Sequence, residues 1–294
     1  MSDQYCPYCG ARLPAGAVFC PNCGANVAEK PEAEIKKPIT SPTPPKPLKP
    51  VPTIGTAIAA IRDAIRRRPE TDIRMSAAWI LVVIFSPIME FIGLVYIIFG
   101  LMYPPATVTG ILLMLFALII NAALYYKLIS RRNKHFMRSR LLREGILRYV
   151  ESKAEELGET HRVSAEISTM RMVHTELNNE ETEKSAGLHI FLTIIIPLFW
   201  LYVMYYLTKD FVSHDSKERA FFQTLTTAAS KLDIPVQFPF WKELPKRSAG
   251  LYILLTIALG GLFSIYWMWT LIKDPHQHFD AHSVFEDTFM QTLR

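Results

Sequence analysis

Apolar and polar positions are segregated along this chain. Four apolar blocks, Ala77 to Leu101, Ala106 to Ile129, Leu188 to Thr208 and Gly250 to Ile272, stand apart from the charged stretches. A helix needs about 20 such residues to cross about 30 Å of hydrocarbon. Between the blocks the pattern turns amphipathic. Ile54, Ile58, Ile61 and Ile65 recur at helical spacing with Arg62, Arg66, Arg67 and Arg68 alongside, which predicts a basic helix lying on a membrane surface. Leu142, Ile146, Tyr149, Val150 and Leu157 outline a second helix, and Val163, Ile167, Met170, His174 and Leu177 a third, with Gly158 as the break between them. The expected fold class is an all-α integral membrane protein with four apolar segments plus amphipathic helices.

The block pattern also repeats. Three times an apolar block ends in a basic residue followed by Asn or Asp and then a histidine: Arg132-Asn133 with His135, Lys209-Asp210 with His214, and Lys273-Asp274 with His278. After each histidine comes a row at i, i+4, i+8: Leu142, Ile146 and Val150; Phe221, Leu225 and Ala229; Phe285, Phe289 and Leu293. Such a row makes one helix stripe, and the histidine two turns earlier faces roughly the same way. The last two copies share Leu198-Phe199 and Tyr202-x-Met204 with Leu262-Phe263 and Tyr266-x-Met268.

Arginine distribution sets the expected orientation. Arg62 to Arg74 and Arg131 to Arg148 flank the first two blocks, and the Tyr103-Pro104-Pro105 turn between them carries no charge, so both ends of this hairpin should be cytoplasmic. The later blocks conflict with this scheme. If each crosses once, the His214 helix lies outside, yet the segment from Lys209 to Ala249 is the more basic side. Four simple spans are the expectation from length. Re-entrant blocks broken at Pro197 and at Gly260-Gly261 are the alternative.

Composition bears this out: the 294 residues are 50% hydrophobic, only 20% charged, and carry a net charge of +5. The basic clusters beside apolar blocks point to the anionic membrane surface rather than nucleic acid. Residues 28–53 hold eight prolines, from Pro31 to Pro52, among lysines and glutamates, and read as an extended tether. The expected organisation is a metal module at 1–27, the linker at 28–53, a basic amphipathic helix at 54–74 and a transmembrane hairpin at 75–130. Cytoplasmic helices follow at 131–187, a third membrane segment at 188–208, an amphipathic connector at 209–249, a fourth membrane segment at 250–272 and a C-terminal amphipathic helix at 273–294.

All four cysteines precede residue 24. Cys6-Pro7-Tyr8-Cys9-Gly10 and Cys20-Pro21-Asn22-Cys23-Gly24 are two copies of C-P-x-C-G. Two residues between cysteines let both thiolates meet one ion, and the glycine lets the backbone curl so that amides face the sulfurs. Four thiolates at Cys6, Cys9, Cys20 and Cys23 fit one tetrahedral, structural Zn2+ with no open position, in a reducing compartment. This segment resembles the short zinc-ribbon domains at the N-termini of many prokaryotic membrane proteins. The resemblance implies a zinc-bound binding or structural module without catalytic activity. Rubredoxins share the C-P-x-C-G knuckle, but ten intervening residues cannot supply the domain that encloses their iron. More loosely, the L-F-S-I-Y-W-M-W block around Tyr266 resembles an uncharacterised family of prokaryotic integral membrane proteins, which implies location without chemistry.

Two further features stand out. Glu90 falls near the middle of the first block, where an ionisable group marks either an ion or proton path or a neutral carboxyl bonded to a neighbouring helix. His276, His278 and His282, with Asp274 and Asp280 nearby, form an H-x-H-x-x-x-H pattern in which His278 and His282 share a helix face. They read as surface or interfacial histidines, with a second metal as the alternative. The chain has no Walker loop, no G-x-G-x-x-G and no G-x-S-x-G. The expected function is thus non-enzymatic: a multi-pass protein of the cell membrane, N-terminus cytoplasmic, presenting a zinc ribbon to a protein partner. A small transporter or channel with Glu90 in its pathway is the alternative, and oligomerisation is left open.

Overall fold

The computed structural model describes residues 4–5, 11–14, 17–18, 21 and 53–293, in two units, Met1–Pro50 and Val51–Arg294. In the first, strands β1 (Gln4–Tyr5) and β2 (Arg12–Leu13) pair antiparallel, with Gln4 opposite Leu13 and Tyr5 opposite Arg12. Cys6, Cys9, Cys20 and Cys23 lie outside the described residues, as do residues 22–52 of the expected linker.

The second unit is helical. Its elements are α1 (Ile54–Arg66), α2 (Arg68–Thr71), a 3-10 turn (Ala77–Trp79), α3 (Ile80–Phe99), α4 (Pro104–Glu156), α5 (Thr160–Glu180), α6 (Ala186–Ile195), α7 (Phe199–Lys231), α8 (Ala249–Ala258) and α9 (Phe263–Thr292). Three antiparallel hairpins organise it: α3 with α4, α6 with α7, and α8 with α9. In the first, Gly93 and Gly110 let the backbones touch, since a Cβ on Gly110 would sit 2.4 Å from the Gly93 carbonyl oxygen. In the second, His189 of α6 packs against Tyr206 of α7. In the third, Tyr252 of α8 packs against Trp267 of α9.

The two later hairpins begin alike. Each opens with Ser-Ala-Gly-Leu, and the serine hydroxyl, Ser185 or Ser248, accepts the amide N–H three residues on, which caps a donor the helix leaves unpaired. Each apolar helix then runs only 10 residues before the chain reverses. The reversal after α6 follows Pro197, with Leu198 at φ 65°, and that after α8 uses Gly260 at φ 58° and Gly261 at φ 91°. Proline removes a donor and these dihedrals lie outside the right-handed helix, so both helices stop there.

The helices differ in length in a way that revises the expected four crossings. The segments Ala77–Phe99 and Pro104–Glu156 are long and apolar enough to cross a membrane, and their outer side chains are exposed, Phe91 by 68% and Ile119 by 63%. At about 1.5 Å per residue, α6 and α8 are each only about 15 Å long, half the hydrocarbon thickness. Two helices are thus long and apolar enough to cross, and four spanning helices are not shown. Moreover, His214 of α7 lies 3.1 Å from His135 of α4. The His214, His135 and His278 helices therefore meet at one place in the fold.

Beyond the apolar region α4 continues without a break and meets α7 and α9. The three i, i+4, i+8 rows are all buried in one core, joined by Val163, Ile167, Met170 and Leu177 of α5. Leu157 is exposed instead, because α4 has already ended at Glu156. The face of α1 carrying Ala57, Ile61 and Ala64 is buried in the same core. That corrects the expected surface-lying helix: an apolar stripe fits a protein groove as well as a lipid surface, and here the second half of α4 supplies the groove.

Candidate metal centre

Helical spacing delivers the site. On α4, His135, Arg138, Ser139 and Arg143 project from one face; on α7, His214, Asp215 and Glu218; on α9, His278, His282 and Glu286. Asp72 enters from the C-cap of α2 and Glu181 from the C-cap of α5. The four imidazoles are at most 1% exposed and Glu218 is fully buried.

Each ring is held by a carboxylate at Nδ1. His135 pairs with Asp72 at 2.8 Å, His214 with Glu181 at 2.5 Å, His278 with Asp215 at 2.8 Å and His282 with Glu286 at 2.6 Å. A carboxylate can only accept, so each Nδ1 carries a hydrogen and each ring turns its Nε2 atom inward. Those Nε2 atoms converge. His135 Nε2 lies 3.1 Å from that of His214 and 2.9 Å from that of His278. The Oε2 atom of Glu218 lies 3.0 Å from His214 Nε2, 3.5 Å from His278 Nε2 and 2.9 Å from His282 Nε2.

An outer layer fixes these groups. Glu218 Oε1 accepts from Ser139 and from Arg143 at 3.0 Å, which leaves Oε2 facing the rings. Arg138 donates to Asp72 at 2.8 Å and to Glu286, while Arg143 donates to Glu181 at 2.8 Å. Asp215 also accepts from the Trp241 indole at 3.0 Å and the Leu244 amide at 2.9 Å.

Proton affinities reflect this crowding. Burial opposes charge on His214, yet Glu218 and Glu181 outweigh it and push it up to about 9. Burial is likewise overcome at His282, where Glu218 and Glu286 push it up to about 9. At His135 burial prevails over the pull of Asp72, helped by the facing His278 and His214, and its pKa falls well below the usual imidazole range. Burial also lowers His278 against the hydrogen bond to Asp215. Burial would raise Glu218, but His282 and His214 hold it well below the usual carboxylate range. Four imidazoles and a carboxylate are a donor set that suits a transition metal.

The histidines of the three sequence copies, His135, His214 and His278, are thus brought together, and His282 joins them. His278 and His282 are fully buried, which overturns the surface reading: α4 and α7 cover that face of α9. His276 does not take part; its Nε2 accepts the Met75 amide at 3.1 Å. Asp72, Glu181, Asp215, Glu218 and Glu286 were not anticipated. Two of them had a local signal, since His214 with Glu218 and His282 with Glu286 are i, i+4 pairs. Glu90 sits elsewhere, in a cavity of about 400 Å³ that Ser86, Asn121, Thr193 and Pro197 also line.

Comparison with known proteins bears on the first unit. A zinc-ribbon domain model matches residues 5–27, so the chain carries a zinc ribbon there, a span that includes Cys6, Cys9, Cys20 and Cys23. No family match supports the looser resemblance of the membrane part to an uncharacterised prokaryotic family. No curated protein and no solved structure matches the chain.

Proposed function

We propose that this is a non-enzymatic, multi-pass membrane protein that presents a cytoplasmic zinc ribbon to a protein partner. The observation that carries this reading is a zinc-ribbon domain at residues 5–27 in one chain with a helical hairpin apolar enough to cross a membrane. Cys6, Cys9, Cys20 and Cys23 hold one structural Zn2+, whose closed thiolate shell supports a binding role rather than catalysis. The proline-rich segment 28–53 spaces the ribbon from the bilayer.

In this reading α3 and α4 cross the bilayer, and the hairpins α6–α7 and α8–α9 dip about halfway in from the cytoplasmic side. The three hairpins are copies of one unit, and in the last two the outgoing helix is shortened. Their shared exit supports one cytoplasmic face, with Arg131 to Arg148 at the boundary as positive-inside residues. Lipids cover the exposed faces of α3 and α4.

Cross-linking in native membranes, with and without Cys6→Ser, tests the proposal. The substitution is expected to remove one or more specific neighbours; an unchanged set would refute the ribbon as a recognition module. The cavity holding Glu90, Asn121 and Pro197 favours a second reading, a small transporter or channel with Glu90 in its pathway. Normal ion and proton flux through a Glu90→Gln variant in proteoliposomes would remove its support.

A further inference from the structure

The centre of the histidine pocket is a place where acceptors face acceptors. With both Nδ1 hydrogens committed to carboxylates, the Nε2 atoms of His135 and His278 approach to 2.9 Å with no hydrogen to share, and His214 Nε2 lies 3.1 Å from that of His135. Glu218 Oε2 and His282 Nε2 are buried 2.9 Å apart, and neither has a partner outside this ring of imidazoles. Lone pairs that point at a common spot rather than at one another are the arrangement of ligands around a cation. Unpaired atoms of this kind are costly to bury unless something binds them.

We infer that His135, His214, His278, His282 and Glu218 form a second metal site, separate from the ribbon cysteines, that takes one five- or six-coordinate divalent first-row transition ion such as ferrous iron.

Three observations fix the class of ion. The first is charge: Asp72, Glu181, Glu218 and Glu286 are met by the guanidiniums of Arg138 and Arg143, and by Arg68 reaching Glu286 at 3.2 Å, while Asp215 has no guanidinium partner. Five carboxylates against three guanidiniums, one of which (Arg68) also pairs with Asp287 at 2.9 Å, make the surroundings acidic, which favours a cation. The second is spacing. At a metal–nitrogen distance of about 2.1 Å, ligands at right angles lie ~3.0 Å apart and tetrahedral ligands ~3.4 Å apart. Four of the five short contacts here are 2.9–3.1 Å, the edges of a five- or six-coordinate shell, and a tetrahedral ion would leave one ligand unused. The third is the outer layer: every ligand is oriented by its own partner, as in built metal sites. Imidazole and carboxylate donors suit iron, cobalt or nickel and give a soft ion no thiolate.

A cleft of about 300 Å³ lined by Arg132, Glu180, Glu181, Lys209 and Asp210 borders the site at His214. Once bound, the ion ties α4, α7 and α9 together, so its binding energy is also folding energy for the cytoplasmic end of the three hairpins.

The test uses the full chain in detergent with Cys6, Cys9, Cys20 and Cys23 all replaced by serine, which removes the ribbon's own site. After anaerobic loading with Fe2+ or Co2+ and desalting, elemental analysis is expected to find about one ion per chain. The Co2+ form should show the weak visible bands of five- or six-coordination. Asp215→Asn, which touches the ion only through His278, is expected to weaken Co2+ binding by about 10–100-fold with the helical circular dichroism unchanged. No retained ion, or the intense bands of tetrahedral Co2+, overturns the proposal. So does Co2+ binding that neither Asp215→Asn nor Glu218→Gln alters. Because the cysteines are absent throughout, these results do not depend on the ribbon.

Discussion

Arg138 is fully buried and bridges two elements by bonding Asp72 below α2 and Glu286 on α9. Truncating it strands two buried carboxylates, a change worth about 3–5 kcal/mol. Arg74 pairs with Asp280 in the open, with side-chain exposures of 58% and 60%, and such pairs contribute at most about 1 kcal/mol. Arg138→Ala should therefore lower the thermal midpoint in detergent far more than Arg74→Ala, and equal shifts would contradict the buried assignment. His174 on α5 offers a pH test outside the pocket. Burial and the nearby Arg143 hold its pKa down to about 4, while Asn178 donates to its Nε2 at 2.8 Å. The folded state thus resists a proton that the unfolded chain accepts near its ordinary value of 6.5. Its contribution is full above 6.5 and is lost as pH falls toward 4. His174→Gln should flatten that limb of the stability profile, measured as denaturation midpoints across the interval. The buried rows of Leu142, Phe221 and Phe285 were legible as helix stripes in the sequence. Glu218 was not, because an acidic residue four positions after a histidine looks the same on a solvated face.

Among the elements, the short hairpins carry the departures from expectation. Periodicity and length placed the four apolar blocks, and the breaks at Pro197 and Gly260-Gly261 were visible, but length argued for crossings. The deciding fact is where the long helices after the breaks pack, which depends on partners more than 70 residues away, as between His135 and His214. The reversal itself is fragile in a predictable way. Gly261 has φ 91°, so Gly261→Val should cost about 1–3 kcal/mol in backbone strain and loosen α8 from α9. Gly250 lies in α8 with open space around its Cα, and Gly250→Ala should leave the thermal midpoint unchanged. Similar losses for both would mean that the turn does not need its left-handed backbone. The basic helix α1 teaches the same lesson. Its stripe of Ile54, Ile58, Ile61 and Ile65 was readable, yet the buried face is centred on Ala57, Ile61 and Ala64, and α4, with Gly145 beside Ile61, rather than lipid receives it.

At the scale of the whole molecule, the meeting of three helices at one pocket predicts a one-sided cytoplasmic body. On a background without native cysteines, Glu155→Cys, Lys242→Cys and Gln291→Cys should all be shielded from a membrane-impermeant maleimide in intact cells. Tyr103→Cys, in the turn between α3 and α4, should react. Labelling of Lys242→Cys from outside would restore the single-crossing arrangement and break the fold described above. The sequence by itself determined what is local: the C-P-x-C-G knuckles, the helical stripes, the apolar hairpin and the places where helices must stop. Thiolate spacing, helical periodicity and proline chemistry act over a few residues, so they can be read one segment at a time. Tertiary structure alone decided that three distant histidines share a point with His282 and Glu218, and that the chain reverses after α6 and α8 to pack each against the helix that follows. Both depend on which faces find each other, and the free energy of that choice lies in long-range burial and charge pairing that no single segment contains.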